Sequence, residues 1–286
     1  MDTTPSQSRK AIAIFLLITF AISSIYYFLV IHTGKLGSGF GLYVTGIMWA
    51  PALSAFATCR ILNRKISDLG WSWNKPKYML WAYLVPLLYS LIAYIILWVA
   101  GWGSFYNTAF VKQVSSSFGW SGLPDGVVIF LYFIFTGTIG MAGSLATGLG
   151  EEIGWRGFLV PEMYKITGYT TTSLIVGAIW ALWHVPILVF ADYNSGTPAW
   201  YGLSWFAVMV ISISFIFTWF RLKSGSLWTA AILHASHNLF IQSIFTPLTL
   251  SNEKTKYYID EFGAVLAVVA VITAIYFWTR RGELKK

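Results

Sequence analysis

Two glutamates and an arginine stand out because they interrupt a long apolar part of the sequence. Glu151 and Glu152 follow an uncharged run of residues, and Arg156 comes four residues after Glu152. An ionisable side chain at membrane depth costs about 2.5–3.5 kcal/mol on insertion scales, so it marks a functional site by default. On a helix, Glu152 and Arg156 share one stripe and can pair, whereas Glu151 is turned about 100° from Glu152. We therefore predict that Glu152 pairs with Arg156 and shapes the site, and that Glu151 performs chemistry.

Three of the four histidines lie in two later apolar segments of the chain. One segment carries Trp180 and His184, and the other carries His234, His237 and Asn238. His234 and Asn238 are four residues apart and project from one side of a helix, whereas His237 lies on an adjacent face. Each of them alone is readily explained as a hydrogen-bonding residue between packed helices, and we favour that role for His237. Gathered at a compatible depth with a carboxylate, however, the other residues predict a catalytic cavity.

These residue types could together hydrolyse a peptide bond. Glu151 with His184 could hold a water molecule and remove its proton, which is general-base catalysis. Attack on a carbonyl creates an oxyanion that needs fixed donors, and the Asn238 amide and a His234 ring N–H could supply them. The sequence has no G-x-S-x-G motif, and Cys59 is far away in the chain, which favours direct attack by water over an acyl-enzyme.

A metal remains an alternative reading of the same residues. Glu151, His184 and His234 are ligand types of a zinc site with an open position. The sequence contains no H-E-x-x-H motif. We therefore expect no cofactor, and we keep zinc as the alternative.

The composition assigns these residues to membrane helices. The 286 residues are 57% hydrophobic and only 10% charged, with a mean hydropathy of +0.65. Soluble domains carry roughly 25% charged residues. We predict an all-α, polytopic integral membrane protein with about eight transmembrane helices, near residues 11–31, 40–62, 78–102, 127–150, 171–191, 200–220, 226–245 and 262–279. We expect one domain, 1–286, with a catalytic core at about 127–245.

The distribution of basic residues predicts the orientation in the membrane. Of the 19 lysines and arginines, all fall on the side of the N-terminus except Lys35, Lys112, Lys254 and Lys256. This bias predicts that both termini are cytoplasmic, and it explains the net charge of +8 without a nucleic-acid partner. We expect the inner membrane of a bacterial cell and a cavity that opens to the cytoplasm. The fourth helix runs past the Glu pair, and Pro161 is its expected stop.

In their order, these motifs resemble the CPBP family, the intramembrane proteases related to CAAX-prenyl endopeptidases and bacteriocin-processing proteins. That family shows E-E-x-x-x-R, F-x-x-x-H and H-x-x-x-N on successive membrane helices. The first motif matches as Glu151, Glu152 and Arg156, and the third as His234 and Asn238. In the second motif His184 matches, but Trp180 replaces the usual phenylalanine, which keeps an aromatic wall and alters the pocket shape.

The resemblance implies a glutamate-dependent intramembrane endopeptidase. It assigns water activation to Glu151 and His184, oxyanion stabilisation to His234 and Asn238, and a site-shaping role to Glu152, Arg156 and Trp180. The expected partners are membrane lipid and a peptide or protein substrate, with or without a lipid group. Two other functions stay open: a non-catalytic membrane module that binds a peptide for immunity or scaffolding, and a proton-coupled transporter.

Overall fold

The described chain is almost entirely helical. The computed structural model describes residues 4–33, 41–73, 75–191 and 196–284. Phe40, the first residue of the second predicted span, and Lys35, Lys285 and Lys286 of the charge count lie outside the described residues. The α-helices, in chain order, are α1 (Pro5–Thr33), α2 (Leu42–Ile61), α3 (Pro76–Val99), α4 (Thr108–Ser117), α5 (Asp125–Ile166), α6 (Tyr169–Phe190), α7 (Ala199–Ser224), α8 (Leu227–Asn238, continuing as helix to 248) and α9 (Ala264–Thr279).

Short elements connect these helices. Single 3₁₀ turns cover Ile66–Leu69, Thr255–Tyr257 and Arg280–Glu283. The strands β1 (Ser104–Phe105) and β2 (Thr249–Leu250) form an antiparallel pair. These elements confirm the prediction of an all-α, polytopic membrane protein.

Seven helices of the described chain are long and apolar enough to cross a membrane: α1, α2, α3, α5, α6, α7 and α9 with its 3₁₀ turn. The seventh predicted span, 226–245, is helical as α8 but is not among those seven helices. It carries His234, His237 and Asn238, and its first twelve residues are almost wholly buried within the bundle. An amide and two imidazoles are tolerated there because neighbouring helices cover them instead of lipid.

The bundle has two distinct ends. At the first end, two ion pairs link helix ends to neighbouring segments. Arg64 lies 3.0 Å from Glu162 of α5, and Lys223 of α7 lies 3.3 Å from Glu283. The second end carries the β1–β2 pair and the loop from residue 249 to residue 263. Because the spanning helices alternate in direction, α1 begins and α9 finishes at the first end.

Two of the three motif helices change their winding within or directly after the motif. In α5 a π-helical stretch, Ile153–Leu159, follows the Glu pair, and in α8 another, Leu239–Phe245, follows Asn238. π-Helical turns are rare and occur frequently at functional sites. The prediction that Pro161 ends the helix is wrong, because α5 continues to Ile166. Pro161 occupies the first turn of the α-helical segment after the π stretch, where a missing N–H is tolerated.

Glycines in α5 let its backbone pack directly against the backbone of α2. A Cβ built on Gly154 would lie 2.4 Å from Pro51 Cβ and 2.7 Å from the Pro51 carbonyl carbon. One built on Gly150 would lie 2.8 Å from the Met48 carbonyl oxygen. This contact sets the position of α5 against α2, and with it the direction in which Glu151 points.

We expect Gly154→Ala to destabilise the protein strongly, whereas Gly143→Ala should be tolerated. Overpacking typically costs about 1–3 kcal/mol, and here the clash is with backbone that cannot turn aside. A Cβ on Gly143 meets nothing within 4 Å, so alanine there should gain a little helix propensity. Thermal unfolding in detergent micelles measures both variants. Equal midpoints for the two would contradict the close contact between α5 and α2.

Candidate active site

Glu151 is buried on α5 and is held by an indole from α6. The Trp180 Nε1–H donates to Glu151 Oε2 over 2.7 Å. Glu151 Oε1 has no hydrogen-bond partner among the residues that the structure describes, and the side chain lines a cavity. The carboxylate is therefore oriented through one oxygen and open through the other. Trp180, predicted only to shape the pocket, also orients Glu151 in a way that phenylalanine could not.

Glu152 joins two motifs behind the cavity wall. Its Oε1 lies 2.9 Å from Arg156 Nη1 and 2.9 Å from His234 Nδ1. Glu152 and Arg156 are both 0% exposed, and the guanidinium stacks 4.2 Å from the Trp180 ring and 4.6 Å from the Phe217 ring. The predicted pair of Glu152 with Arg156 thus forms. The structure adds the bond between Glu152 and His234, which the sequence did not predict.

Hydrogen bonds also fix how the two motif histidines face the cavity. His184 Nδ1 lies 2.8 Å from the backbone carbonyl oxygen of Trp180, which can only accept, so Nδ1 carries the hydrogen. The neutral His184 ring then presents Nε2 as an acceptor. His234 uses Nδ1 on Glu152, and its Nε2 also has no partner within the described part of the chain. Both rings therefore offer Nε2 to the cavity.

One cavity of about 470 Å³ brings the predicted chemistry together. It lies between α2, α5, α6, α7 and α8, and its lining includes the predicted residues Glu151, Trp180, His184, His234 and Asn238. Aromatic and aliphatic side chains such as Trp183, Phe206 and Phe217 form most of the remaining wall. A few polar groups converging in an apolar cavity are typical of a ligand site.

The cavity extends towards the second end of the bundle. Its lining includes Gly41 and Thr45 at the start of α2, Ile187 near the end of α6, and Glu261 from the loop before α9. The first end, where α1 begins, contributes none of the described lining residues. The cytoplasmic termini and the cytoplasm-facing cavity both stay predictions.

A second polar group lines the same cavity and was not predicted from the sequence. His237 Nε2 lies 3.0 Å from Glu261 Oε1, and Gln242 Nε2 donates to Glu261 Oε2 over 3.1 Å. His237 Nδ1 is bonded to the Tyr89 hydroxyl of α3. The sequence offered two signals for this group. His237 has no partner on its own helix, and Glu261 is an acidic residue directly before the last apolar run.

The spacing of the side chains is the observation that concerns the zinc alternative. Among the described residues, no three His, Cys, Asp or Glu side chains are grouped closely enough to hold a metal ion. Glu151, His184 and His234 share the cavity but do not form such a group. The expectation of no cofactor stays a prediction.

Comparison with known proteins supports the family resemblance. The family described as Type II CAAX prenyl endopeptidase Rce1-like matches residues 127–240, which contain all three motifs. A protein of Methanococcus maripaludis named CAAX prenyl protease 2 is 27% identical over 168 residues. Both matches support the CPBP/CAAX protease family, which the three motifs resemble. The match with the Methanococcus protein covers 57% of this chain and 55% of that protein, so the chain spans about half the length of this relative.

The family match covers the three motifs but not every residue that lines the cavity. The matched region begins two residues into α5 and ends two residues after Asn238 in α8. Glu261 and the loop that carries it lie outside the matched region. The Glu261 contacts are therefore features of this chain that the family match does not describe.

Proposed function

We propose that the protein is an intramembrane endopeptidase that hydrolyses a peptide bond of a membrane-associated substrate by activating water. The observation that carries the proposal is the convergence of Glu151 Oε1, His184 Nε2, His234 Nε2 and the Asn238 side chain on one buried cavity. Two of these atoms, Glu151 Oε1 and His184 Nε2, are acceptors, which suits a water molecule that donates both hydrogens. The substrate is a peptide or protein, with or without a lipid group.

The proposed reaction begins with the water held by Glu151 and His184. Glu151 takes a proton as the water oxygen attacks the substrate carbonyl carbon, which yields a tetrahedral oxyanion. Asn238 donates from its amide, and His234 donates from Nε2 as the imidazolium that the Glu152 carboxylate stabilises. The C–N bond then breaks, and the proton on Glu151 passes to the leaving amine.

The orientation proposal keeps the termini in the cytoplasm. The positive-inside bias supports this side for the first end of the bundle. The first end of the bundle would then be cytoplasmic, and the described cavity lining lies towards the second end. We therefore favour an opening of the cavity on the non-cytoplasmic face over the cytoplasmic opening predicted from the sequence. In a bacterial inner membrane, products would then leave towards the periplasm or the medium.

A comparison of peptidomes tests this function. Cells producing the wild-type protein should release peptides that are absent from cells producing Glu151→Ala at an equal membrane level. Collecting cytosol and medium separately reports the side of the opening. A parallel arm with a chelator and with zinc added back tests the metal alternative. Identical peptidomes for the two cell lines would contradict a protease and would favour the peptide-binding module or the transporter.

A further inference from the structure

A second cavity, of about 450 Å³, lies between α3, α7 and α9. Among the described residues, it shares no lining residue with the cavity that contains Glu151. Its lining includes the buried aromatic side chains of Tyr89, Phe220 and Phe277, together with Leu88, which is 45% exposed. The cavity is therefore a groove with a buried aromatic floor that opens on the outside of the bundle, where the membrane supplies acyl chains.

The groove follows α3 inwards from the first end of the bundle. Lys77 stands in the first turn of α3, and Ile92, fifteen residues later, also lines the groove. At 1.5 Å per residue the two positions are about 22 Å apart along the helix axis. One leaflet with its headgroups is about as thick, since the whole bilayer measures roughly 40–45 Å. The groove therefore has the length of one lipid molecule that starts at the membrane surface.

The groove is basic where it reaches the first end of the bundle. Its charged lining residues are Lys77 and Arg280, and no acidic residue lines the described part of its wall. The neighbouring acid is Glu283, which Arg280 and Lys223 share, with Arg280 Nε at 2.6 Å and Lys223 Nζ at 3.3 Å. Lys77 has no ion-pair partner in the part of the chain that the structure describes. Three cations thus accompany one carboxylate, which leaves a net positive charge at this end.

Arg280 is held in a fixed position and keeps donors for a ligand. Its guanidinium lies 5.0 Å from the centre of the Trp219 ring, donates from Nε and Nη2 to Glu283, and donates from Nη1 to the Tyr276 hydroxyl. These described contacts use three of the five guanidinium N–H groups, which leaves two. The Tyr276 hydroxyl accepts from Arg280 and still has its own hydrogen to donate. Phosphate oxygens are suited to accept from such a group, because charge-assisted hydrogen bonds are the strong ones.

We propose that this groove binds an anionic phospholipid, with its phosphate at Lys77 and Arg280 and one acyl chain over Tyr89 and Phe277. Basic recesses between membrane helices select anionic headgroups, because each lysine or arginine near the surface attracts them. The apolar length of the groove favours a lipid over a free phosphate ion, which would use the basic end alone. The site is separate from the catalytic cavity, and the inference does not depend on the proposed protease activity.

Native mass spectrometry of the purified protein in detergent tests the lipid site. The protein is titrated with phosphatidylglycerol and with phosphatidylcholine that carries the same acyl chains. We expect the wild type to prefer phosphatidylglycerol, and Lys77→Gln to lower that preference about fivefold, the effect of roughly one charge near a membrane surface. Thr273→Phe places a large side chain in the groove and should weaken the binding of both lipids.

The matched control is Lys10→Gln, which changes an exposed lysine at the first end that does not line the groove and should keep the wild-type preference. Equal losses in Lys77→Gln and Lys10→Gln would overturn the proposal, as would equal binding of the two lipids by the wild type or unchanged binding in Thr273→Phe. Displacement of phosphatidylglycerol by an equal concentration of glycerol 3-phosphate would assign the site to a free anion and overturn it. Displacement by an equal concentration of a neutral prenylated peptide would assign the groove to a substrate and overturn it as well.

Discussion

Glu151→Gln is expected to lower kcat by about 10²–10⁴-fold while leaving the fold intact, because general-base catalysis contributes about this much. The amide cannot take the proton from water, yet its oxygen can still accept the Trp180 indole N–H that the carboxylate accepts at 2.7 Å. The measurement is single-turnover cleavage of a substrate found in the peptidome, together with a thermal unfolding scan of the same preparation.

The control for this variant is Glu253→Gln, since Glu253 is exposed and belongs to none of the three motifs. It should match the wild type in both measurements. A Glu151→Gln protein that kept more than about a tenth of the wild-type rate would remove Glu151 from the role of base. An unfolding midpoint several degrees lower would mean that the loss of activity reflects folding instead.

Arg156→Met is expected to destabilise the protein by about 3–5 kcal/mol, the usual cost of breaking a buried ion pair by removing one partner. The guanidinium neutralises Glu152 at 2.9 Å and is sandwiched between Trp180 and Phe217. Neither member of the pair reaches solvent, so water cannot replace the lost partner. Chemical unfolding in mixed micelles measures the free energy.

Two companion variants separate the buried charge from simple packing loss. Arg280→Ala removes a half-exposed ion pair with Glu283 and should cost no more than about 1 kcal/mol. The double variant Arg156→Met with Glu152→Gln removes both charges and should be more stable than Arg156→Met alone. Additive losses in the double variant would show that the pair matters through packing and not through charge.

Helical periodicity explains what could be predicted within one helix. The apolar composition leads directly to membrane helices, and the four-residue spacing of Glu152 and Arg156 leads to their contact, because residues four apart lie one turn above each other. The same rule separates Glu151 from Glu152. Contacts of this kind depend on local geometry alone, so the printed sequence is sufficient for them.

Contacts between helices could not be predicted in the same way. The sequence grouped His234 with Asn238 as oxyanion donors, but it did not predict the bond of His234 to Glu152 or the hydrogen bond that Trp180 donates to Glu151. Such contacts depend on the rotation and offset of α5 against α6 and α8. Those are set by packing far from the site, such as Gly154 against Pro51.

The sequence by itself determined the membrane character of the protein, the residue types of its site and their order along the chain. Only the tertiary structure decided which histidine meets which glutamate, that Glu261 joins the cavity, and towards which end of the bundle the cavity extends. The physical reason is that a helix fixes neighbours one turn apart, whereas the depth and facing of residues on different helices follow from close packing of the whole bundle.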